Sequence, residues 1–260
     1  MKLYLKNVGR IKEAELLIDG LTVICGENNT GKSTIGKVLY YDMNDGLPRS
    51  SYSYAHRPDL LRTLCKERDY RTTTVEDILQ DKKIKEIERK FDEISSGNIV
   101  YHDGKYEYKS PKLRENMDLV SLSTGIKSFA ILRKLLKDGK IEENGILVID
   151  EPEVHLHPAW QMKYAEILVM LQKEYGLNII IATHSFDFLN ALMYYSKLYE
   201  IEKSCNCYLA EEDSMDDSGF PDVCFAKVNN GGERIYASLS APFLDLYAKD
   251  EFAHFVLPTS

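Results

Sequence analysis

The sequence predicts a mixed α/β fold with a mostly parallel core sheet. Three short apolar runs, at residues 21–25, 146–149 and 179–183, have the length and the β-branched composition of buried strands. Segments with helical periodicity lie between them. Strands that alternate with helices in this way pair in parallel, and the helices cover both faces of the sheet.

The order of the elements follows from periodicity. Residues 41–73 have weak periodicity and predict no element, whereas the last sixty residues predict short strands around an acidic loop at 211–217 and a helix near 242–247. The other predicted elements are, in chain order, strands at 2–8, 13–18 and 21–25, a loop and a helix start directly after them, a helix at 75–94, a hairpin at 98–109, a helix at 123–137, a strand at 146–149, a helix at 158–175, a strand at 179–183 and a helix at 186–195.

Turn residues and helix-end residues mark several of these boundaries. Asp103 and Gly104 form a two-residue hairpin signal between alternating segments. Pro158 and Gly176 bracket one helix in the expected orientation, with proline near its start and glycine past its end. Residues 75–94 carry spaced apolar positions among many charges, which is typical of a solvated amphipathic helix.

The composition is that of a globular protein, with 44% hydrophobic and 28% charged residues. The formal net charge of −8 argues against a protein that coats nucleic acid by overall charge, although a local basic face stays open. No apolar run approaches the roughly 18 residues that span a bilayer, and the charged N-terminus is not a signal peptide. The five scattered cysteines lack the density of a disulfide framework, so we expect a reducing, cytoplasmic location.

The loop after the first buried strand matches the phosphate-binding pattern GxxxxGK[ST] in full at residues 26–33. The two glycines let successive backbone N–H groups point at phosphates, and the helix that follows presents its positive end to them. We expect Lys32 to meet the β- and γ-phosphates and to assist catalysis, and the Ser33 hydroxyl to bind Mg²⁺. The expected nucleotide-binding residues are Gly26, Glu27, Asn28, Asn29, Thr30, Gly31, Lys32, Ser33 and Thr34.

Two acids end the second buried strand, where ligands of open α/β sheets bind. Asp150 is suited to hold Mg²⁺ through water. Glu151 is suited to accept a proton from an attacking water, as a general base does.

Three further segments carry a resemblance to a known family. Residues 122–127, Leu-Ser-Thr-Gly-Ile-Lys, resemble the signature motif of ABC-type ATPases and open a helix. Residues 150–158, Asp-Glu-Pro-Glu-Val-His-Leu-His-Pro, resemble the Walker B motif and D-loop of the group that contains SMC, RecF and OLD-family ATPases. Residues 183–185, Thr-His-Ser, resemble the switch histidine of that group. The chain is most similar to stand-alone bacterial ATPases that are described as AAA-type and linked to phage defence.

The resemblance implies an ABC-ATPase-like head, with N-terminal antiparallel strands and a small helical lobe that carries the signature. It also implies two ATP molecules and Mg²⁺ held between two copies of the chain in an isologous dimer. Ser123, Thr124 and Gly125 would meet the γ-phosphate bound by the partner copy. His184 would contact the γ-phosphate or orient the attacking water.

Some residues depart from the family pattern or carry a weaker signal. Thr124 stands where transporters usually have glycine, and Gln80 is the one candidate for the glutamine that transporters use to contact their membrane partners. Arg10 and Lys12 lie on the edge that approaches the nucleotide in relatives, and His157 is expected at the dimer seam. Cys205, Cys207 and Cys224 lack a fourth zinc ligand nearby in sequence, so we interpret them as ordinary thiols.

These motifs predict a single ABC-like domain over residues 1–260, with a nucleotide-binding core at 1–45 and 140–260 and a signature lobe at 46–139. The leading hypothesis is an ATP-hydrolysing dimeric switch that controls an effector, such as a nuclease or toxin, acting in trans in anti-phage defence. The main alternative is a DNA repair or recombination ATPase of the SMC/RecF type. A transporter ATPase subunit and a small-molecule kinase are disfavoured. DNA or RNA stays open as a further partner, and no direct membrane insertion is expected.

Overall fold

The computed structural model describes residues 1–43, 75–102, 105–215, 221–228 and 234–239. The predicted helix near 242–247 and the predicted turn at 103–104 lie outside these residues, as does most of 41–73. Among the helices of the described part, none combines the length and the apolar character that a membrane span needs.

A seven-stranded sheet forms the centre of the fold, in the order β1-β2-β10-β9-β3-β8-β7. β9, β3, β8 and β7 are mutually parallel neighbours, whereas β1 pairs antiparallel with β2 and β10 pairs antiparallel with β9. The strands are β1 (Lys2–Val8), β2 (Ile11–Leu17), β3 (Leu21–Gly26), β7 (Ile146–Asp150), β8 (Asn178–Thr183), β9 (Cys205–Met215) and β10 (Pro221–Val228). The predicted class, a mostly parallel core sheet with N-terminal antiparallel strands, is confirmed.

Helices pack on both faces of this sheet because its central strands are apolar on both sides. All six residues of β3 are buried. Val23 belongs to the core cluster on one face and Ile24 to the cluster on the other. The helices are α1 (Lys32–Met43), α2 (Val75–Ile94), α3 (Thr124–Lys137), α4 (Pro158–Tyr175) and α5 (Phe186–Leu198), and residues 234–239 are also helical.

The segment between the phosphate loop and β7 contains a small sheet beside its helices. β4 (Asn98–His102), β5 (Lys105–Lys109) and β6 (Met117–Asp118) pair antiparallel. The predicted hairpin therefore has a third, two-residue strand. α2 and α3 lie against each other beside this sheet, and α2 also contacts α4.

The acidic segment at 211–217 is a strand as far as Met215, not the loop that the sequence predicts. Backbone pairing with β10 continues past Glu212, which lies opposite Val223. A run of acids is compatible with a strand here because cations meet its side chains, which reduces their mutual repulsion. The ion pairs are Arg10–Glu212, Lys12–Asp213 and Arg234–Glu211.

Candidate functional site

The phosphate loop connects β3 to α1, and its backbone takes conformations that favour glycine. Gly26 has φ +152° and Gly31 has φ +79°. A Cβ atom at Gly26 would lie 2.7 Å from the carbonyl oxygen of Ala210 in β9, so no side chain fits there. Asn29 adopts φ +66°, a left-handed conformation that asparagine tolerates better than most residues.

The Lys32 ammonium is buried and turned onto its own loop. Nζ donates to the carbonyl oxygens of Gly26 at 2.9 Å and Glu27 at 2.5 Å. Burial lowers the pKa of Lys32, and the negative charges of Glu151 and Asp150 oppose that shift. The two carbonyls thus hold a cation where the pattern predicts contact with phosphate oxygens.

Asp150 is the last residue of β7 and Glu151 follows it, with one strand, β8, between β7 and the strand that leads into the phosphate loop. Asp150 is exposed and pairs with Ala182 of β8, while β8 pairs on its other side with β3. Glu151 is partly exposed, and its N–H donates to the Ala182 carbonyl oxygen at 2.8 Å. Its φ of +48° ends the strand and turns the chain. A left-handed conformation at a residue with a side chain costs on the order of 1 kcal/mol.

His184 comes directly after β8 and contacts two glutamates of the segment that follows β7. Its Nδ1 atom lies 3.3 Å from Oε1 of Glu151 and 3.7 Å from Oε1 of Glu153. The structure therefore brings together two of the three predicted catalytic residues, Glu151 and His184, whereas Lys32 contacts its own loop. The sequence interpretation missed Glu153, which is buried at this junction. The sequence does carry a signal for it, a further acid two residues after Glu151, within the segment that resembles the Walker B motif and D-loop.

The predicted signature residues open α3. Ser123 is the N-cap residue and is exposed, but its side chain makes no capping hydrogen bond. Gly125 is buried, and a Cβ atom there would lie 2.4 Å from Cδ2 of Leu156. Thr124 is exposed and accepts at its carbonyl oxygen from Ser128 Oγ at 3.1 Å. Within the described residues, no hydrogen bond joins Ser123 or Thr124 to the phosphate loop.

The structure places the weaker candidates apart from one another. Arg10 is next to the phosphate loop, because Nη1 donates to the Asn29 carbonyl oxygen at 2.6 Å. Lys12 instead pairs with Asp213 and Asp222 at 3.5 and 3.4 Å. His157 is the N-cap residue of α4, and its Nδ1 accepts from Ala159 N at 3.3 Å. Gln80 lies in α2, outside the part of that helix whose side chains are described.

The three C-terminal cysteines do not converge on one site. Cys205 and Cys207 each lie 3.7 Å from the sulfur of Met193, whereas Cys224 is beside Asp213. A hydrogen bond from Cys207 lowers the pKa of Cys205 and raises that of Cys207. In the described part of the chain, no group of three His, Cys, Asp or Glu side chains could hold a metal ion.

Comparison with known proteins identifies the family of the chain. A family model described as "AAA domain, putative AbiEii toxin, Type IV TA system" matches residues 45–190, more than half of the chain. Elongation factor 3 of Candida albicans is 28% identical over 186 residues, which cover 68% of this chain and 15% of that protein. An ABC transporter ATP-binding protein of Geobacter sulfurreducens is 27% identical over 192 residues, 69% of this chain and 64% of that protein.

Among solved structures, an SMC head bound to the C-winged helix domain of ScpA superposes with a TM-score of 0.55. It is 15% identical in sequence, and the match covers 88% of this chain and 97% of that one, so it shows the fold. The chain is an ABC/SMC-like P-loop ATPase in fold and belongs to the AAA-domain family named above.

Proposed function

We propose that this chain binds ATP with Mg²⁺ and hydrolyses it between two copies of itself, and that the cycle switches a partner protein. The observation that carries the proposal is the 3.3 Å contact between Glu151 Oε1 and His184 Nδ1. Glu151, the candidate base, thus meets His184, the residue that we expect to contact the phosphate. The two lie at the ends of neighbouring strands, next to the strand that leads into the phosphate loop.

The residues present fit a Mg²⁺–nucleotide complex. Residue 26 is glycine, and any side chain there would collide with Ala210. A glycine is also the residue that is expected where backbone N–H groups must approach a ligand closely. Asp150 and Ser33 are both exposed, and oxygen ligands of these types suit Mg²⁺. When bound, the ion would neutralise charge on the phosphate oxygens.

The chain's own side chains supply the remaining chemistry. Lys32 exchanges its carbonyl partners for phosphate oxygens. Glu151 accepts the proton of the attacking water, and its partly exposed position gives water access. His184 contacts the carboxylate through Nδ1, and its other ring nitrogen, Nε2, orients that water or the terminal phosphate.

The signature residues support a second copy in the site. α3 is a 14-residue helix whose N-terminus carries an exposed serine, and the serine hydroxyl makes no capping hydrogen bond. Backbone N–H groups at such an end attract anions, and the phosphate loop of the same chain makes no hydrogen bond with it in the described residues. By resemblance to ABC and SMC ATPases, the anion is the γ-phosphate held by the partner copy.

Sedimentation of the Glu151→Gln variant tests this proposal. The variant keeps the shape of the site but lacks the base, so it should bind ATP without hydrolysing it. A dimer should therefore accumulate when ATP and Mg²⁺ are present. Lys32→Ala is the matched control that weakens nucleotide binding, and Ser123→Arg is the control that blocks the partner's anion site; both should stay monomeric. A Glu151→Gln protein that sediments only as monomer at saturating ATP and Mg²⁺ would sink the proposal.

We further propose that the switch acts in anti-phage defence, through a nuclease or toxin in trans. The family description, which names a toxin of a type IV toxin–antitoxin system, supports this role. Affinity capture from the native host with the Glu151→Gln variant, with and without ATP, should recover an effector that depends on the nucleotide state. Turnover that rises on addition of DNA ends, without such an effector, would favour the repair alternative, whose fold relative is the SMC head.

A further inference from the structure

Glu153 is a buried carboxylate to which the proposed chemistry assigns no role. It lies in the turn between β7 and α4, two residues after Glu151, and its side chain is about as inaccessible as an apolar core residue, with 3% of the residue exposed. A carboxylate in that position needs partners, since burial of an uncompensated charge is strongly unfavourable. Its partners therefore indicate what it does.

One oxygen of Glu153 holds the segment that carries the switch histidine. Oε1 accepts from Thr183 Oγ1 at 2.5 Å and from the backbone N–H of His184 at 3.3 Å. Thr183 Oγ1 in turn accepts from Ser185 N at 3.0 Å. Three consecutive residues are thereby fixed relative to one side chain, directly before α5 begins.

The same oxygen also faces the histidine ring. Oε1 lies 3.7 Å from His184 Nδ1, the nitrogen that contacts Glu151 at 3.3 Å. A neutral imidazole has one N–H group, and the ring nitrogen that faces two carboxylates is the one whose N–H would be attracted by both. No hydrogen bond in the described residues involves Nε2, so this nitrogen is available to water or phosphate.

The second oxygen of Glu153 is buried without a hydrogen-bond partner in the described residues. Its charge still reaches the nucleotide site. The negative charge of Glu153 contributes to the raised pKa of Cys25, after desolvation, and opposes the lowering of the pKa of Lys32 by burial. The carboxylate thus holds the switch segment and is also close enough to Cys25 and Lys32 for its charge to act on both.

We propose that Glu153 is the positioning residue of the site: it fixes the 183–185 segment and sets the protonated nitrogen of His184, so that His184 meets Glu151 and the nucleotide in the reactive orientation. This inference rests on the proposed ATPase function and deepens it. Glu153 touches neither the nucleotide nor the attacking water and acts through His184.

Steady-state ATP turnover separates positioning from binding. Glu153→Ala should lower kcat about 10²-fold, the cost typical of a misplaced catalytic group, with KM for ATP nearly unchanged. Glu153→Gln should retain most of kcat, because its amide oxygen can still accept from Thr183 and His184. Glu166→Ala is the matched control: Glu166 is also buried, but it bonds Lys90 and Tyr199 away from the site, and kcat should stay as in wild type.

A double-mutant cycle supplies the readout that a merely structural role would not give. If Glu153 acts through His184, then Glu153→Ala should cost nothing further in a His184→Ala background. Additive losses in the double variant would overturn the proposal, as would a Glu153→Ala enzyme with wild-type kcat. Should the alanine variant fail to fold, Thr183→Val provides the same comparison, since it removes the hydroxyl that Glu153 holds.

Nitrogen NMR of the His184 ring tests the inference without turnover. The wild-type spectrum should show the proton on Nδ1. Glu153→Ala should free the 183–185 segment, so that the ring leaves Glu151 and the proton redistributes between the two nitrogens, whereas Glu166→Ala should leave the spectrum unchanged; His184→Gln assigns the signal. An unchanged His184 spectrum in Glu153→Ala would overturn the inference. A wild-type protein that turns over no ATP would refute the proposed function, and the spectrum would still decide the role of Glu153.

Discussion

Replacing Arg133 with methionine should loosen the helix that begins at Ser123 from its neighbour α2. The side chain is 5% exposed and donates to Glu88 at 2.6–3.2 Å and to Asp92 at 2.7 Å. It also donates to the carbonyl oxygens of Ser95 and Gly97 at 2.9 and 3.3 Å. Arg133 thus ties α3 both to α2 and to the segment that follows α2.

The size of the effect follows from what is left unpaired. Removing one partner of a buried ion pair costs about 3–5 kcal/mol. Lys137 remains 3.0 Å from Glu88, and Asp92 is exposed enough to be hydrated, so the low end of that range applies, about 3 kcal/mol. For a chain of this size, that loss lowers Tm by roughly 6–12 °C.

The loss should not depend on pH near neutrality. Burial lowers the pKa of Arg133, but the hydrogen bonds with Glu88 and Asp92 outweigh burial and raise it overall. The guanidinium is therefore charged across the whole neutral range, and the variant should be equally destabilised at pH 6 and pH 9.

Urea unfolding followed by circular dichroism measures the difference. Lys137→Ala is the matched control, because its exposed contact with the same glutamate contributes at most about 1 kcal/mol. The double variant Arg133→Met with Glu88→Leu should recover part of the stability, since it removes both charges. An Arg133→Met protein as stable as Lys137→Ala would refute the reasoning.

Three other perturbations test separate contacts. Gly125→Ala places a Cβ atom 2.4 Å from Leu156, so the free energy of unfolding, measured with urea, should fall by about 1–3 kcal/mol. In a chain that also carries Leu156→Ala, most of the additional cost of the alanine at 125 should disappear. An unchanged urea midpoint for Gly125→Ala would contradict the packing. Gly26→Ala collides with the Ala210 backbone and should raise the Kd for ATP at least about tenfold by calorimetry, whereas unchanged affinity would show that the loop can shift. Desolvation by burial raises the pKa of Cys25 from 9.0 to about 12, so the unfolded chain releases this proton first. The free energy of unfolding should then fall between pH 9 and pH 12 by up to about 1.4 kcal/mol per pH unit, and equal slopes for wild type and Cys25→Ala would exclude this contribution.

Local rules predicted the central strands and helices well because each is determined by nearby residues. The apolar run around Val23 is buried on both faces, as its continuous hydrophobicity indicates. Pro158 and Gly176 bound α4 at the expected ends, with Gly176 in the left-handed conformation. The contact between Glu151 and His184, which the sequence analysis did not state, also follows from a local rule, since each residue comes directly after one of two neighbouring parallel strands.

The features that sequence reasoning missed depend on contacts distant in the chain. The acidic segment near Glu212 is a strand because it pairs with β10, and Arg10, about two hundred residues earlier, offsets part of its charge. Glu153 belongs to the site because the Thr183 hydroxyl, on the far side of a crossover helix in sequence, donates a hydrogen bond to it. Neither pairing leaves a periodic signal in a single sequence, because ion pairs and buried hydrogen bonds depend on tertiary position.

One short turn connects the start of the signature helix with the switch histidine. Gly125 in α3 packs against Leu156, and a side chain there would also crowd the His155 carbonyl oxygen. Glu153 in the same turn holds Thr183. Glu151 and His155 bracket the turn with left-handed φ values of +48° and +64°, which leave few alternative backbone paths. The start of α3 and the switch histidine therefore contact the same turn, and the turn reaches the histidine through two carboxylates, those of Glu151 and Glu153.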